Sequence, residues 1–155
     1  DDVLEIDNDV VKVVKIGLRT SIVMNRDDII IFIPNSLLVT NKVVNRSHQI
    51  KETRYHITVG VAYGSDVDLV LALLEQSAAE HALVSKKSKP DARFLDFGDS
   101  SLNFEVLFWS KEMFRIDKVK SDIRRTIDKK FRSNGVTIPF PQRDLHIRSS
   151  NIKLT

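Results

Sequence analysis

The sequence predicts an α+β protein with two small parts, an all-β part followed by a part in which strands alternate with two helices. Short apolar strands separated by turns fill residues 1–50, without a helical pattern. From residue 51 the order becomes strand–helix–strand–strand–helix–strand, which is the order of a split βαβ unit. A chain of 155 residues is long enough for one domain or two small ones with a real hydrophobic core.

The most apolar short run is Ile29–Ile33, which is followed by Pro34, Asn35 and Ser36. Five β-branched or aromatic residues without polar alternation predict a strand that is covered on both faces. A turn is expected next, because Pro34 has no amide hydrogen and Asn35 can bond to nearby backbone. The cover is either the chain's own core or a neighbouring subunit, and the run alone favours the core.

The first half contains further predicted strands, and a glycine in the longest of these runs is expected to bend the chain. Residues Val10–Met24 alternate loosely, and Gly17 inside them predicts a bulge or a sharp bend. Asn25–Asp28 then forms a turn, after which the next strand pairs back antiparallel. Further strands at Leu37–Val39 and Lys42–Asn45 complete a small, strongly bent sheet or barrel. The expected apolar face of the first run holds Val14, Ile16, Leu18, Thr20 and Ile22.

The second half begins with a strand at Arg54–Val61 and then a helix that extends to about Val84. Ser65 is expected to cap this helix, with Asp68 as its capping-box partner. A hairpin follows and turns at Gly98–Ser100. The second strand of that hairpin is expected to face the core with Leu102, Phe104, Val106 and Phe108.

A second helix from about Glu112 to Ser133 has apolar residues at helical spacing, and Gly135 is expected to end it with left-handed backbone. Its predicted buried stripe is Ile116, Val119, Ile123, Ile127 and Phe131. The complete order of elements is that of a ferredoxin-like unit.

The closing segment, residues 136–147, contains two separated pieces of predicted strand. Residues 136–138 form the first piece and Leu145–Ile147 the second, with Pro139 and Pro141 between them. Two prolines cannot donate ladder hydrogen bonds in a central strand. We therefore expect this segment to leave the sheet as an extended arm.

The composition argues against several classes of function. Hydrophobic content of 42%, charged content of 29% and a net charge of +3 are ordinary for a soluble protein, and no stretch approaches the roughly 20 apolar residues of a membrane span. The absence of cysteine excludes disulfides, thiolate metal sites and cysteine nucleophiles. Histidines, serines, glycines and carboxylates show no catalytic, phosphate-binding or metal-binding spacing. The sequence thus predicts no enzyme, cofactor or metal site.

The basic outer face of the second helix leaves an RNA-binding protein as an alternative. Its residues are Lys118, Arg124, Arg125, Lys129 and Arg132. RNA-recognition domains stack bases on exposed aromatic side chains of a central strand. Phe104 and Phe108 instead share the face expected to be the core, and Asp122 and Asp128 interrupt the positive charge. A solvated helix face is therefore favoured over a nucleic-acid site.

Three separated motifs together resemble a known family. The first consists of three short stretches: Leu18–Thr20, Ile33–Ser36 and Asn45. The second is Val59–Tyr63 followed by Asp66, and the third is Gly135–Gln142. In this order they are similar to the middle β domain, the start of the α/β domain and the closing signature of the small-conductance mechanosensitive channel (MscS) family.

The resemblance implies a homo-oligomeric channel, usually of seven subunits, that opens under membrane tension and releases ions and small osmolytes on osmotic downshock. This chain would form part of its cytosolic cage, on the cytoplasmic side of the inner membrane. An Sm-like β domain would occupy residues 1–50, a ferredoxin-like α/β domain 51–147 and a tail 148–155. Because the sequence starts abruptly with a strand-like pattern, we expect a soluble fragment of a longer protein whose pore helix precedes Asp1.

The resemblance also implies which residues hold subunits together. In the β domain they are Ile31, Ile33, Pro34 and Asn35. In the closing segment the predicted assembly or structural residues are Gly135, Pro139, Phe140, Pro141, Leu145 and Ile147. The family's segment adds one strand per subunit to a barrel at the cage base, and the resemblance implies that role for Asp144–Ile147. Val11 and Asp27–Asp28 depart from the family pattern, where glycine and Asp-Gly are common. A small-molecule sensing module that regulates a channel is a third option.

Overall fold

A computed structural model of the chain describes residues 2–7, 9–40, 43–45 and 52–146. Lys42, Ile147, the predicted tail and the predicted boundary at residues 50 and 51 lie outside these ranges, so that boundary and tail stay predictions. The strands are β1 (Val3–Ile6), β2 (Asp9–Ile16), β3 (Thr20–Met24), β4 (Ile30–Pro34), β5 (Val44–Asn45), β6 (Thr53–Val61), β7 (Asp91–Phe97) and β8 (Leu102–Ser110). The helices are α1 (Asn35–Thr40), α2 (Val67–Ala79) and α3 (Ile116–Ser133).

The first half folds into one antiparallel sheet with the strand order β4-β3-β2-β1-β5. The side chains of Ile6, Val11, Val13 and Val23 form its buried cluster, and Leu38 of α1 packs against them. Strand β3 pairs with β4 across the predicted turn at residues 25–28. The predicted bent sheet of short strands is therefore present.

The predicted apolar face of the first long run is wrong, because the chain reverses within it. Val14, Ile16 and Leu18 are exposed. Gly17 begins a tight turn in which its N–H donates to the Thr20 carbonyl oxygen at 3.1 Å. The β2–β3 register also shifts by one residue near Val14. A turn and a bulge both interrupt the period of two, so one alternation cannot describe the whole run.

The predicted strand at Leu37–Val39 is also wrong, since these residues lie in the six-residue helix α1. The hydroxyl of Thr40 donates to the carbonyl oxygen of Ser36 at 2.9 Å within this helix. Only Leu38 of the apolar three packs against the sheet. A run of three apolar residues is too short to distinguish one turn of helix from a strand by its periodicity.

The second half is a three-stranded antiparallel sheet, β6-β8-β7, with α2 and α3 packed against one face. All five residues of the predicted α3 stripe are buried, as are the four predicted core residues of β8. The hairpin β7–β8 turns at the predicted residues. The predicted fold class, an all-β part followed by an α/β part, is confirmed.

Three details of this half differ from the prediction, and the first is that α3 begins at Ile116 rather than near Glu112. Asp66 caps α2, accepting a hydrogen bond of 3.1 Å from the Leu69 N–H, whereas the Ser65 hydroxyl donates to the Ala62 carbonyl oxygen. Aspartate is a strong capping residue because its carboxylate also favours the positive end of the helix dipole. Helix α2 ends at Ala79 rather than near Val84.

A small apolar cluster joins the two parts. Val3 of β1 is buried together with Met113 and Phe114, which precede α3. Val10 and Met24 of the first sheet pack against them. The first sheet therefore rests on the start of α3 through a few side chains.

Candidate functional site

Strand β4 lies at one end of the first sheet and, among the described strands, pairs with β3 alone. The backbone groups of Ile29 and Asn35, which flank β4, bond to the β3 side. Because hydrogen bonding alternates along an antiparallel pair, the backbone groups of Ile30 and Phe32 point away from β3. Pro34 has no N–H to donate at this edge. The free edge of β4 therefore offers donors and acceptors to another strand.

The side chains of β4 separate into two faces. Ile31 and Ile33 are half-buried and pack against the cluster of the first sheet. Ile30 is 46% exposed and Phe32 is 66% exposed. The sequence predicted a strand covered on both faces, either by the chain's own core, which the run alone favours, or by a neighbouring subunit. In the single chain one face is open, so the chain's own core covers only the other, and cover by a neighbouring subunit stays a prediction. The reason is its edge position, which a local pattern does not encode.

Asn35 ties the end of β4 to the β2–β3 turn. Its side-chain amide donates to the Gly17 carbonyl oxygen at 2.9 Å, and its side-chain oxygen accepts from the Ser21 hydroxyl at 2.8 Å. Its backbone N–H donates to the Arg19 carbonyl oxygen at 2.9 Å. Because Ser21 is buried, these bonds satisfy polar groups that water cannot reach. Asn35 therefore sets where β4 stops relative to its neighbours.

Gly17 and Ser21 were not identified from the sequence as partners of Asn35. They are 18 and 14 residues away, and a hydrogen bond over that distance leaves no local pattern. The signal available was the glycine itself. A Cβ at Gly17 would lie 2.6 Å from the Thr20 carbonyl oxygen, so the turn excludes larger residues.

The closing segment starts as predicted at Gly135, whose φ of +70° is the left-handed backbone that glycine adopts readily. The next residue, Val136, is buried in the core of the second half, and its N–H donates to the Phe131 carbonyl oxygen at 2.9 Å. Thr137 then accepts a hydrogen bond of 2.8 Å from the Ala62 N–H at the end of β6. The first residues of the arm are therefore hydrogen-bonded both to α3 and to the end of β6.

No strand forms over residues 136–146, so the predicted closing strand is corrected to an irregular arm. Pro139 and Pro141 supply no N–H to continue the contact that Thr137 makes with β6. The arm is instead held again where the Gln142 N–H donates to the Ser100 hydroxyl of the β7–β8 turn at 3.1 Å. The predicted departure of this segment from the sheet is therefore observed.

The arm exposes large apolar side chains. Phe140 and Leu145 are each 84% exposed, and Ile138 is exposed as well. Tyr63 and Phe97 add exposed aromatic rings, and the Tyr63 hydroxyl bonds to the Gly98 carbonyl oxygen of the same turn. Large exposed apolar patches commonly mark interaction sites. This end of the second sheet is therefore a second candidate contact surface.

The two sets of predicted residues do not form one site. Ile31, Ile33, Pro34 and Asn35 belong to the first sheet, whereas the arm is bonded to turns of the second. Neither set carries a constellation of acids, bases or nucleophiles. Across residues 2–7, 9–40, 43–45 and 52–146, no group of three or more His, Asp or Glu side chains is placed to hold a metal ion.

Two features of the structure weaken the alternative interpretation as an RNA-binding surface. Phe104 and Phe108 are fully buried under the helices, as predicted, and so cannot stack on bases. On α3, Arg132 lies 3.1 Å from Asp128, and Lys130 lies 2.8 Å from Glu80. Part of the basic charge is therefore neutralised by neighbouring carboxylates.

Family models match both halves. The model for the β domain of mechanosensitive ion channels matches residues 1–48. The model for the C-terminal part of the mechanosensitive ion channel MscS matches residues 56–138. Among the described helices, none is both long and apolar enough to cross a membrane.

Curated relatives are considerably longer than this chain. An uncharacterized MscS family protein of Haemophilus influenzae is 34% identical over 139 residues, which are 90% of this chain and 12% of that protein. The mechanosensitive channel MscK of Escherichia coli is 32% identical over 142 residues, or 87% of this chain and 12% of MscK. An uncharacterized MscS family protein of Synechocystis is 30% identical over 134 residues, which are 85% of this chain and 44% of that protein. The chain thus spans less than half the length of these relatives.

Solved structures share the architecture. The closed-state crystal structure of Helicobacter pylori MscS superposes with a TM-score of 0.83 and 27% identity, covering 96% of this chain and 58% of that one. The cryo-EM structure of Arabidopsis thaliana MSL1 superposes with a TM-score of 0.64 and 16% identity, covering 90% and 52%. At that identity the second likeness concerns the fold alone.

Proposed function

Because the chain belongs to the MscS family of mechanosensitive ion channels, we propose that it is part of the cytoplasmic cage of a channel that releases ions and small osmolytes on osmotic downshock. The observation that carries this proposal is the succession of two matched channel domains along one chain, with the architecture of Helicobacter pylori MscS across 96% of it. The pore would be supplied by the part of the protein that lies outside the matched region in the relatives.

The proposed assembly is a homo-oligomer of seven subunits on the cytoplasmic side of the inner membrane. Two surfaces of this chain support assembly, the free edge of β4 and the exposed arm. Unpaired edge strands with apolar side chains are readily extended by a strand of another chain, and natural proteins seldom leave them bare. A ring of identical subunits would use both surfaces once per subunit.

At the first surface, a neighbouring copy would bond to the backbone groups of Ile30 and Phe32 and cover their side chains. Full burial of an exposed phenylalanine or isoleucine side chain stabilises by about 1.5–3 kcal/mol. One strand addition of this size offsets only part of the entropy lost on association. Assembly would therefore need several contacts of this kind around a ring.

At the second surface, the arms of several copies would meet through Phe140 and Leu145. Both side chains have little of their own chain around them, so contact with equivalent residues removes apolar area from water without rearranging a core. The family resemblance implies a strand of a shared barrel at residues 144–147, and Ile147 lies outside the described residues. A barrel would also satisfy backbone groups of a segment that forms no strand in the single chain.

Within such a cage, charged side chains around the openings would bias which ions pass. They would act through local electrostatic potential, which raises or lowers the concentration of each ion near an opening. No bound intermediate is needed for that effect. The proposed role is therefore passage and filtering rather than a reaction.

A survival assay tests this function. The complete natural protein is expressed in bacteria that lack their own mechanosensitive channels, and the cells are diluted abruptly from high to low osmolarity. Survival above that of cells with an empty vector is expected, because solutes leave before the cells lyse. The variant Phe32→Glu, which should reduce assembly, is compared in parallel and should protect poorly. Equal lysis with the natural protein and the empty vector would contradict the proposal.

A further inference from the structure

The turn between β3 and β4 is held in one conformation by its own hydrogen bonds. The side-chain oxygen of Asn25 accepts from the N–H groups of Asp27 at 3.0 Å and Ile29 at 2.9 Å. Asp28 has a φ of +62°, which few residues other than glycine adopt. Asn25 thus fixes the directions in which Arg26 and Asp28 leave the turn.

Those two side chains form crossed ion pairs with the start of α3. Arg26 donates to the Asp117 carboxylate at 2.6 Å, and Arg115 donates to the Asp28 carboxylate at 2.8 Å. Each part of the molecule therefore contributes one positive and one negative charge. The four residues Arg26, Asp28, Arg115 and Asp117 are called the ionic clamp below.

The remaining described contact between the two parts is limited. The cluster of Val3, Met113 and Phe114 with Val10 and Met24 is small beside the core of either part. Interfaces of this size within one chain commonly permit relative motion of the parts. The ionic clamp lies beside this cluster, so it can decide whether the parts stay docked.

The clamp is also accessible to salt. Its four side chains are 37–67% exposed. The electrostatic screening length falls from about 30 Å at 0.01 M salt to about 3 Å at 1 M. Exposed pairs are therefore weakened strongly over this range, whereas apolar contacts are not.

We propose that the ionic clamp makes the docking of the first sheet on the second half depend on ionic strength. The two parts are held in one arrangement when the surrounding ionic strength is low, and they move more freely when it is high. The device is a property of the chain itself and does not rest on the proposed channel function. When a cell loses ions, the ionic clamp would reduce the relative motion of the two parts.

Distance measurement between two spin labels tests the clamp. The chain has no cysteine, so Leu18→Cys and Lys129→Cys, both at exposed positions, provide one unique label in each part. Double electron–electron resonance is recorded at about 0.01 M and about 1 M salt. A narrow distance distribution is expected at low salt and a broad one at high salt. A distribution that stays equally narrow at both concentrations would overturn the proposal.

Variants separate the clamp from general effects of salt. Arg26→Gln combined with Arg115→Gln should give a broad distribution at both salt concentrations, because neutralising two exposed pairs shifts the ratio of docked to undocked arrangements by about 2- to 30-fold. Exchanging the charges of one pair in the parent chain, with Arg26→Asp and Asp117→Arg, should keep the narrow distribution at low salt. A double glutamine variant as narrow as the parent would overturn the proposal.

Arg132→Gln is the matched control, since it removes an ion pair that lies entirely within α3. It should keep the salt response of the parent chain. Loss of the response in this variant would show that the clamp is not its source. Circular dichroism of each variant confirms that the helices remain folded.

Discussion

The side-chain amide of Asn35 donates a hydrogen bond of 2.9 Å to the carbonyl oxygen of Gly17 and so joins the end of β4 to the turn between β2 and β3. A carbonyl oxygen can only accept, so this contact also fixes which end of the amide faces Ser21. The strand offered to a neighbouring subunit in our proposal is therefore positioned by a bond to the turn between the next two strands of the sheet. Loss of that bond should lower both the stability of the fold and the extent of assembly.

Asn35→Ala should lower the free energy of unfolding by about 1–3 kcal/mol, because it leaves the buried Ser21 hydroxyl and the Gly17 carbonyl without this partner. Denaturation by urea, followed by circular dichroism, measures the change. Ser36→Ala is the matched control, since that side chain is exposed, and it should alter stability by less than about 0.5 kcal/mol. Equal stability of the two variants would contradict the role assigned to Asn35.

Phe32→Glu should reduce oligomerisation while leaving the fold intact. The phenylalanine is 66% exposed in the single chain, so a glutamate there is solvated until another subunit covers it. Burying the charge in an interface is then strongly unfavourable. Native mass spectrometry of the detergent-extracted complete protein should show smaller species. Leu83→Glu, another exposed apolar position, is the comparison and should keep the parent mass.

The arm makes a separate prediction. Leu145→Asp together with Ile147→Asp should weaken assembly, because both side chains belong to the proposed barrel strand. The monomer fold should be unaffected, since Leu145 is 84% exposed. Light scattering after gel filtration gives the oligomer mass. An unchanged mass in the double variant would argue that the arm does not hold subunits together.

RNA binding should be absent. The aromatic side chains required for stacking, Phe104 and Phe108, are buried, and neighbouring acids offset part of the α3 charge. A filter-binding assay with single-stranded RNA at two salt concentrations should retain no RNA above background. Retention that falls steeply with added salt would instead support the alternative interpretation.

Elements with sustained periodicity were predictable from the sequence. The stripe from Ile116 to Phe131 repeats over more than four helical turns, and Leu102, Phe104, Val106 and Phe108 recur at every second residue of one strand. Both patterns are long enough for burial to select a single secondary structure and a single face. The left-handed residue at Gly135 was predictable for a related reason, since few residues other than glycine adopt that backbone.

Elements that depend on distant partners were not predictable. The open face of β4 follows from its place at the edge of the sheet, which no residue within Ile29–Ile33 specifies. The short helix α1 and the bonds from Asn35 to Gly17 and Ser21 depend on contacts across 14 or more residues. The assembly residues remain predictions for the same reason, because the partners that would test them are other copies of the chain.

Patch-clamp recording of the complete natural protein in liposomes tests the central claim most directly. Suction applied to an excised patch should evoke single-channel currents that appear above a tension threshold and disappear when tension is released. Patches with Phe32→Glu protein should show fewer such openings. Membrane patches that contain the natural protein but carry no tension-evoked current would contradict the proposal that this chain is part of a channel that opens under membrane tension.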